Sequence, residues 1–491
     1  MATVWVLGDQ LNRRVGALST ADPLTDSILF VESERMLARP FHRQRAHLVL
    51  ASMRRFADEL RAEGFGVDYR RAPSLAAGLA EHLEEVRPSR VVATEPNGRE
   101  VAESLGRLGI DLVENDQFLC TRAEFEAWAG DRDRLRMEDF YRWQRTRLGY
   151  LMDDGEPAGG RWNFDHDNRE PPPRDGGSWP SPLVDALDEL DRAVDAEVVG
   201  PGAAPAGWWP TSRVGALRRL SHFVEEVLPH FGPHEDAMLA GNWHLAHSML
   251  SPALNLGLLL PGEVCDAVEE AYRSGRVPIN SAEGFIRQVI GWREFVRGVY
   301  WLWPGQWDAN GFGAEHPIPP AWVGEASTDL ACLASALEGV EERAWLHHIQ
   351  RLMILANLAT LIGIDPRELR GWMRERFVDA ANWVMGPNVM GMGTFADSGL
   401  MSTKPYVSGG AYVHRMSDYC RGCRFDPKQR VGDSACPFTT LYWDFLARHR
   451  EALRSNHRMA RQIASLDRLS DLPAVRRRAD AVVAAMLAGD L

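Results

Sequence analysis

The chain has 491 residues, 45% of them hydrophobic and 17 of them Trp, and a formal net charge of −13. This length and apolar content predict two or three domains with substantial cores, and the sequence has no apolar run of about eighteen residues that would predict a membrane span. The acidic balance argues against indiscriminate nucleic-acid binding, although a local basic face can still bind phosphate.

The first apolar run, residues 4–7, has no basic region before it and no cleavage site after it, so it predicts a core strand of a cytoplasmic protein rather than a signal peptide. Short β-branched runs at 27–31, 67–70 and 91–94 alternate with helical stretches at 48–63 and 75–86. This order is typical of βαβ units, so residues 1–135 are predicted to form a Rossmann-like α/β domain with a parallel sheet. The segment 8–11 (GDQL) does not match the Gly-rich phosphate fingerprint, which leaves the carboxyl edge of the sheet for another ligand.

Glycine and proline accumulate between residues 153 and 210, where they break up regular structure. We predict that residues 136–210 form a long inter-domain connection with one short helix at 182–193. Residues 211–491 have a helical pattern, with the clearest helices predicted at 214–227, 282–301, 344–362 and 437–457. The predicted architecture is an α/β domain joined by a long linker to an all-α domain.

The six cysteines point to a metal site, because disulfides are a poor explanation for cysteines in a reducing compartment. Cys420 and Cys423 form a CxxC pair, and Cys436 follows after twelve intervening residues, directly before a proline. Two thiolates at this spacing can bind one metal centre, and Cys followed by Pro is common at iron–sulfur sites. The fourth ligand is Cys332 or Cys265. From the residues alone zinc and iron–sulfur are equally open, as is a chance CxxC in a structural loop.

Five segments taken together resemble the photolyase/cryptochrome superfamily and are most similar to its bacterial iron–sulfur branch, whose characterised members repair (6-4) photoproducts. The segments are 8–11 (GDQL), 162–169 (WNFDHDNR), 291–295 (GWREF), 347–353 (HHIQRLM) and 404–408 (KPYVS). The resemblance spans nearly the whole chain and implies an N-terminal antenna domain, a helical FAD-binding domain and a [4Fe–4S] cluster. It leaves Cys120 and Cys265 as ordinary buried thiols and assigns the cluster to Cys332, Cys420, Cys423 and Cys436.

The segment 243–252 (WHLAHSMLSP) resembles the stretch that holds the FAD phosphates in this superfamily. A polar turn before a proline can open a helix, and helix N-termini bind anions; without the resemblance, a capped helix start explains the same residues. Many photolyases have Thr-Ser where this chain has His247-Ser248. The residues that the resemblance assigns to FAD, the last two beside the isoalloxazine ring, are His247, Ser248, Leu250, Ser251, Gln288, Trp292, Asp379 and Asn388.

One position departs from the superfamily pattern. Many photolyases have an Arg two residues after the position of Arg351, where this chain has Met353. The resemblance therefore does not supply the usual Arg–Asp pair beside the flavin.

Two adjacent histidines, His347 and His348, lie in the predicted helix 344–362, where neighbouring side chains point about 100° apart. On the residues alone such a pair is more often structural. The resemblance implies instead that both line the lesion pocket, where a proton must be delivered after electron transfer and an imidazole is suited to deliver it. We predict His348 as the acid, His347 as its support and Tyr406 as the next candidate.

The lesion must leave the base stack to reach the flavin. Tyr412 is predicted to line the same pocket, and Gln350 to contact a base edge. The basic residues near these motifs are predicted to contact phosphates, with a solvated surface as the alternative: Lys404, Arg415, Arg421, Arg424, Lys428 and Arg430. The predicted partner is UV-damaged DNA, and we expect a monomer.

Electron supply and light collection are also implied by the resemblance. Trp372 and Trp383 flank the flavin-site motif, and Trp372 matches an electron-relay position in the superfamily. Most other Trp residues are expected in cores. The implied antenna is 6,7-dimethyl-8-ribityllumazine, with Glu32 and Ser33 as candidate contacts at the carboxyl end of the second strand.

Together these features predict light-driven repair of (6-4) pyrimidine–pyrimidone photoproducts by electron transfer from reduced FAD, the reaction of a DNA photolyase. The alternative is a bacterial cryptochrome that senses blue light without repair. The pair His347-His348 favours repair, because a sensor needs no acid at a lesion. A third possibility, an iron–sulfur module that binds nucleic acid without photochemistry, is disfavoured by the flavin-site motifs.

Overall fold

The computed structural model describes residues 2–132 and 134–491. Its N-terminal part is a five-stranded sheet with the strands β1 Ala2–Trp5, β2 Asp26–Ser33, β3 Gly66–Ala72, β4 Val91–Thr94 and β5 Asp111–Val113. The strand order is β3-β2-β1-β4-β5, and every pairing is parallel. The predicted parallel sheet is confirmed, with a fifth strand that the sequence pattern did not indicate.

The sheet is covered by helices, as its apolar strands require. Ile28, Leu29 and Phe30 of β2 are fully buried, and the helices Arg43–Ala62 and Leu75–Val86 follow β2 and β3. The first of these helices begins earlier than predicted, because the ring of His42 accepts a hydrogen bond from the backbone of Gln44 and caps it. Because the strand order reverses at β1, a crevice opens at the carboxyl ends of β1 and β4.

The connection between sheet and helical part contains more structure than the Gly/Pro pattern indicates. The helices Arg122–Ala129 and Met137–Leu148 pack towards the helical part, where Phe140 lies 5.8 Å from Phe295 between ring centroids. The short helix of the linker is Glu189–Glu197 and begins later than predicted, because Asp188 forms a capping box with Asp191 at that point. No helix in the described ranges is long and apolar enough to cross a membrane.

The C-terminal part is helical, as predicted. Its α-helices are Arg213–His222, Ser251–Leu256, Pro261–Arg273, Ile279–Ile286, Glu294–Leu302, Ala331–Arg343, His348–Gln350, Asn357–Ile362, Pro366–Arg376, Asn382–Met385, Gly410–Met416, Pro437–Arg448, Arg450–Arg454, Ala460–Leu466 and Leu472–Ala488.

Several predicted long helices are interrupted by π-helical segments, namely Phe223–Val227, Arg287–Arg293, Arg351–Ala356 and Gly386–Gly393. Such segments are frequent at functional sites. Three of the four fall on motifs singled out above. The start predicted for the helix 344–362 is wrong: Ala344 has a φ of 53°, which ends the preceding helix, and His347 is the residue before the helix that starts at His348.

The sheet is joined to the helical part by hydrogen bonds from its carboxyl edge to backbone carbonyls of residues 254–257. The amide of Leu11 donates to the carbonyl of Leu256 at 2.8 Å, and Nδ2 of Asn12 donates to the carbonyl of Gly257 at 2.8 Å. Nε2 of Gln117 donates to the carbonyl of Leu254 at 3.2 Å. The helix Ser251–Leu256, which begins at the end of the predicted phosphate segment, is therefore fixed to the sheet.

Candidate active site

Four of the six cysteines lie together in the helical part. Cys332 is buried in the helix Ala331–Arg343, Cys420 and Cys423 lie on one turn, and Cys436 directly precedes the helix Pro437–Arg448. Burial raises the pKa of the Cys332 thiol well above its usual range, and the charges of the other three thiols raise it further. The fold thus gathers the four predicted ligands in one place.

The remaining two cysteines are elsewhere. Cys265 is fully buried in the helix Pro261–Arg273, where burial and the neighbouring Asp266 and Glu294 raise the pKa of its thiol well above its usual range. The backbone amide of Cys120 donates to Glu294 at 3.1 Å. Buried thiols of this kind are chemically inert. Cys332, and not Cys265, is therefore the cysteine next to the CxxC pair.

Three imidazoles form a cluster where the predicted phosphate segment meets the predicted lesion pocket. The rings of His247 and His347 are stacked, with centroids 4.3 Å apart, and His348 lies 5.6 Å from His247. Each ring offers a nitrogen within 4.8 Å of the others. Nε2 of His247 and both nitrogens of His347 are buried without a hydrogen-bond partner in the described part of the chain. Because each such atom costs about 1–3 kcal/mol, the cluster has the features of a site for a polar ligand.

His348 differs from the other two histidines by its contact with Asp236. Its Nε2 lies 3.4 Å from Oδ1 of Asp236, and its side chain is 48% exposed. Desolvation by surrounding atoms lowers the pKa of His348, but the hydrogen bond to Asp236 and the charges of Glu235 and Asp236 outweigh it and raise the pKa. By contrast, burial and then the charge of His348 lower the pKa of His247 to about 3. Burial likewise holds the pKa of His347 well below its usual range, so one imidazole of the three is suited to carry a proton at neutral pH.

A second carboxylate, Glu235, lies beside this cluster. Its Oε1 accepts a hydrogen bond from Nε2 of Gln288 at 2.8 Å, and burial raises its pKa to about 7. Gln288 belongs to the π-helical segment Arg287–Arg293, as does Trp292, whose ring lies 6.5 Å from Phe295. Gln288, assigned to the cofactor by the resemblance, is therefore linked to the carboxylates that surround His348.

Asp379 is the centre of a hydrogen-bonded set. Arg351 donates to both carboxylate oxygens, at 2.8 and 3.1 Å, and Oγ of Ser251 donates to Oδ2 at 2.7 Å. Asn255 donates to the carbonyl of the same residue at 2.8 Å. Although Met353 stands where many photolyases have the Arg of an Arg–Asp pair, this chain has such a pair. Arg351 itself provides the guanidinium, at the start of a π-helical segment where α-helical spacing does not predict which side chain faces Asp379.

The predicted phosphate segment lines a small cleft that also borders Arg219 and His222. Two residues of this segment, Leu245 and Met249, have φ values of 43° and 55°, in the left-handed region that non-glycine residues rarely occupy. Such strain is concentrated at functional sites. Oγ of Ser248 accepts a hydrogen bond from the backbone of Leu250 at 3.4 Å, and Leu250 is buried at the start of the helix Ser251–Leu256. Nδ2 of Asn388 donates to the backbone carbonyl four residues earlier in the chain at 2.9 Å.

Comparison with known proteins shows which family has this arrangement. A family model described as deoxyribodipyrimidine photo-lyase-related protein matches residues 4–207. The chain is 42% identical over 488 residues to the (6-4) photolyase of Agrobacterium fabrum, an alignment that covers 95% of this chain and 96% of that protein. The chain belongs to the (6-4) photolyase family.

Two solved structures have the same fold as this chain. A bacterial class III photolyase from Agrobacterium tumefaciens has a TM-score of 0.60 at 17% identity and covers 92% of this chain and 98% of its own. A Synechocystis cryptochrome has a TM-score of 0.52 at 16% identity and covers 80% of this chain and 82% of its own. The photolyase/cryptochrome fold therefore extends over both the sheet and the helical part.

In this photolyase, both predicted pocket tyrosines lie near the carboxylate that contacts His348. Burial raises the pKa of Tyr406 and of Tyr412, and the charge of Asp236 acts on both hydroxyls. Gln350 is buried, and its Nε2 donates to the hydroxyl of Tyr419 at 2.9 Å. The two tyrosines are thus within electrostatic reach of the carboxylate that contacts His348, whereas the amide of Gln350 is held within the core.

The predicted phosphate contacts of the photolyase differ in how their charge is balanced. Arg424 is paired with Asp329, whereas Arg421 is exposed and reaches only a backbone carbonyl, at 3.4 Å. Lys404 is half-buried and forms no ion pair with a described carboxylate. Of the six predicted contacts, Arg424 and Arg430 are therefore paired with Asp329 and Asp471, and the other four form no ion pair with a described carboxylate.

The two predicted relay tryptophans lie in different cores. Trp372 packs on Trp322, with ring centroids 5.1 Å apart, and its Nε1 donates to the carbonyl of Trp322 at 3.1 Å. Trp383 packs on Phe118 at 5.2 Å, below the guanidinium of Arg293. Trp322 was missed from the sequence, because no local pattern relates it to a tryptophan fifty positions away.

At the sheet edge, the two predicted antenna contacts already have partners. The carboxylate of Glu32 binds Arg54 at 2.9 Å and the hydroxyl of Tyr69 at 2.5 Å, and Ser33 caps the helix Glu34–Leu37. A further residue of this edge, Asp9, is contacted by Nδ2 of Asn97 at 3.1 Å, and burial raises its pKa. Asp9 lies in the segment 8–11 (GDQL), but no role was predicted for it, since one carboxylate after a strand has no diagnostic spacing.

Proposed function

We propose that this chain repairs (6-4) pyrimidine–pyrimidone photoproducts in DNA under blue light. The observation that carries the proposal is the contact of His348 with Asp236 at the half-exposed side of a buried histidine cluster. An imidazole with a raised pKa and access to the surface suits delivery of a proton to a flipped-out base. Full-length similarity to a (6-4) photolyase supports the same reaction.

FAD is the proposed cofactor. When bound and reduced, it supplies the electron that starts cleavage of the lesion. The unpaired buried nitrogens of His247 and His347 fit a polar ligand, and the strained segment with Ser248 fits its phosphates. Ser251, Asp379 and Asn388 offer oxygen and amide groups for the polar edge of a ring.

In the proposed reaction His348 holds the proton and Asp236 orients the ring that carries it. His347 is neutral and stacked on His247, so it packs behind the acid and does not compete for the proton. Tyr406 is the next candidate donor, because the charge of the same carboxylate acts on its hydroxyl. Removal of a general acid typically lowers a rate by ~10²–10⁴-fold.

A [4Fe–4S] cluster is the proposed occupant of the four-cysteine site. A tetrahedral zinc ion with bonds of about 2.3 Å needs sulfur atoms about 3.8 Å apart. Among the described residues, the trio with ligand atoms within 4.8 Å of one another consists of the three histidines, and no trio of these thiols meets that spacing. Wider sulfur spacing suits a four-iron cluster held by Cys332, Cys420, Cys423 and Cys436.

Electron supply and light collection complete the proposal. The contact of Trp372 with Trp322 supports a route for electrons through the helical part, with Trp383 in the second core. We propose 6,7-dimethyl-8-ribityllumazine at the carboxyl edge of the sheet, near Glu32 and Ser33. The buried Asp9 at this edge supports a polar ligand there.

The test is repair of a defined substrate. Purified protein should show flavin bands above a broad iron–sulfur absorbance, and blue light should restore thymines in an oligonucleotide with one (6-4) lesion. A dark sample and an oligonucleotide with a cyclobutane dimer are the controls. If the flavin is photoreduced but no lesion is repaired, the blue-light receptor alternative is correct.

A further inference from the structure

A basic segment, residues 454–461, lies next to the loop that carries Tyr406. It contains Arg454, His457, Arg458 and Arg461 and no acidic residue, in a chain whose net charge is −13. All four side chains are exposed. The three arginines form no ion pair with any described carboxylate, so their charge is available to a partner.

The segment is held in a defined position. Nδ2 of Asn456 donates to the carbonyl of Thr403 at 3.0 Å, and its Oδ1 accepts from the backbone of Arg458 at 3.0 Å. Leu453 and Met459 anchor the turn in the core. The exposed arginines are therefore presented from a fixed turn between the helices Arg450–Arg454 and Ala460–Leu466.

The position of the segment relates it to the lesion pocket. The charge of Arg458 acts on the hydroxyl of Tyr406, as does that of Arg169 from the linker. Asp236, the partner of His348, acts on the same hydroxyl. The rim of the pocket thus has an arginine from each of two distant chain segments, and Arg169 is already paired with Asp165.

We propose that residues 454–461, called the arm below, bind DNA in addition to the predicted phosphate contacts near the cysteines. The arginines of the arm contact backbone phosphates that flank the flipped-out lesion. This inference rests on the proposed function, because it assumes that damaged DNA is the substrate. Unpaired guanidinium groups suit phosphate oxygens, and the segment exposes no large apolar side chain that would favour docking of a protein. The arm then adds to the free positive charge of Arg421 and Lys404, which form no ion pair with a described carboxylate.

The experiment compares wild-type holoprotein with the variant R454Q/R458Q/R461Q. The dissociation constant for a fluorescent duplex with one (6-4) lesion is measured against KCl concentration. Each lost phosphate contact lowers the magnitude of the log–log salt slope by about 0.9, so the slope should fall by roughly 2–3, with at least about tenfold weaker binding at low salt. An undamaged duplex should lose affinity by the same factor, because phosphate contacts carry no sequence information.

The control is R450Q/R468Q/R477Q, which removes the same charge from exposed arginines of the C-terminal part outside the arm, of which Arg450 is paired with Asp467. It should keep the wild-type slope, and R458Q alone should lose about one unit. If the arm variant has the same salt slope as wild type or as the control variant, the proposed phosphate contacts of residues 454–461 are wrong. Wild-type protein that binds through the arm but repairs no lesion overturns the proposed function instead. Photoreduction of the flavin should be unchanged in all variants.

Discussion

Nε2 of His348 lies 3.4 Å from Oδ1 of Asp236, with the two side chains 48% and 26% exposed. The hydrogen bond and charge of Asp236 help to raise the pKa of His348, so Asp236→Asn should lower it. The imidazolium exists below its pKa, and the high-pH limb of repair should therefore move to lower pH. We expect a shift of about one pH unit in repair yield per photon, measured from about pH 6 to 9. A profile that superimposes on wild type would contradict this role.

His348→Ala should lower repair by ~10²-fold or more, because it removes the proton donor. Flavin binding and photoreduction should persist, since the half-exposed ring is not part of a buried hydrogen-bonded set around Asp379. His347→Ala is the comparison, and it should mainly loosen the buried stack on His247. Repair at wild-type yield in the His348 variant would move the role to Tyr406.

Glu235→Gln should stabilise the protein at high pH. Burial raises the pKa of Glu235 to about 7 from 4.5, so the folded state binds this proton more tightly than the unfolded chain. The contribution of Glu235 to the free energy of unfolding is greatest below about pH 4.5. It is lost as the pH rises through 7, which lowers the free energy of unfolding by at most about 3 kcal/mol. Urea unfolding should show a gain for the variant at pH 8 that shrinks towards pH 5. A gain independent of pH would show that this carboxyl does not titrate as described.

Asp379→Ala should destabilise the fold and release flavin, because it leaves the guanidinium of Arg351 unpaired in a site where the two side chains are 8% and 17% exposed. Loss of one partner of a buried pair costs about 3–5 kcal/mol. Arg424→Gln is the matched control, since it breaks an ion pair with Asp329 in which both side chains are more than half exposed. That variant should lose no more than about 1 kcal/mol. Equal losses in the two variants would contradict the importance of the Asp379 set.

Cys332→Ala should abolish iron binding as completely as Cys423→Ala, because both remove a ligand from the same site. Cys265→Ala should keep its iron, although the cavity left in the buried helix will lower the unfolding temperature. Iron analysis and the absorbance of the cluster measure the difference. Iron retained in the Cys332 variant and lost in the Cys265 variant would reverse the assignment.

The sheet was predictable because strands buried on both faces leave a strong pattern. β2 contains the uninterrupted apolar run 28–31, and the predicted strand 27–31 lies within the observed Asp26–Ser33. β5 was missed because its three residues are exposed and carry no such run. Helices were found, but their interruptions were not, since a π-helical turn depends on tertiary packing and not on residue type.

The site was predictable where residue type restricts chemistry and less so where partners come from distant segments. The CxxC pair and the adjacent histidines were visible as short motifs, and the fold brings the former to Cys332. The contacts of His348 with Asp236 and of Asp379 with Arg351 were not visible, because they join positions 112 and 28 residues apart. The family resemblance assigns Gln288 to the cofactor, but its hydrogen bond to Glu235 is visible only in the folded structure.

The bonds from Leu11, Asn12 and Gln117 to residues 254–257 have an optical consequence. Resonance energy transfer depends steeply on the distance between two chromophores and on the angle between their transition dipoles. A hinge motion of the sheet would have to break these bonds, so both quantities are set once, when the chain folds. With the proposed antenna at the sheet edge and the proposed flavin beside Asp379, the efficiency of energy transfer between them would be determined by architecture rather than by thermal averaging.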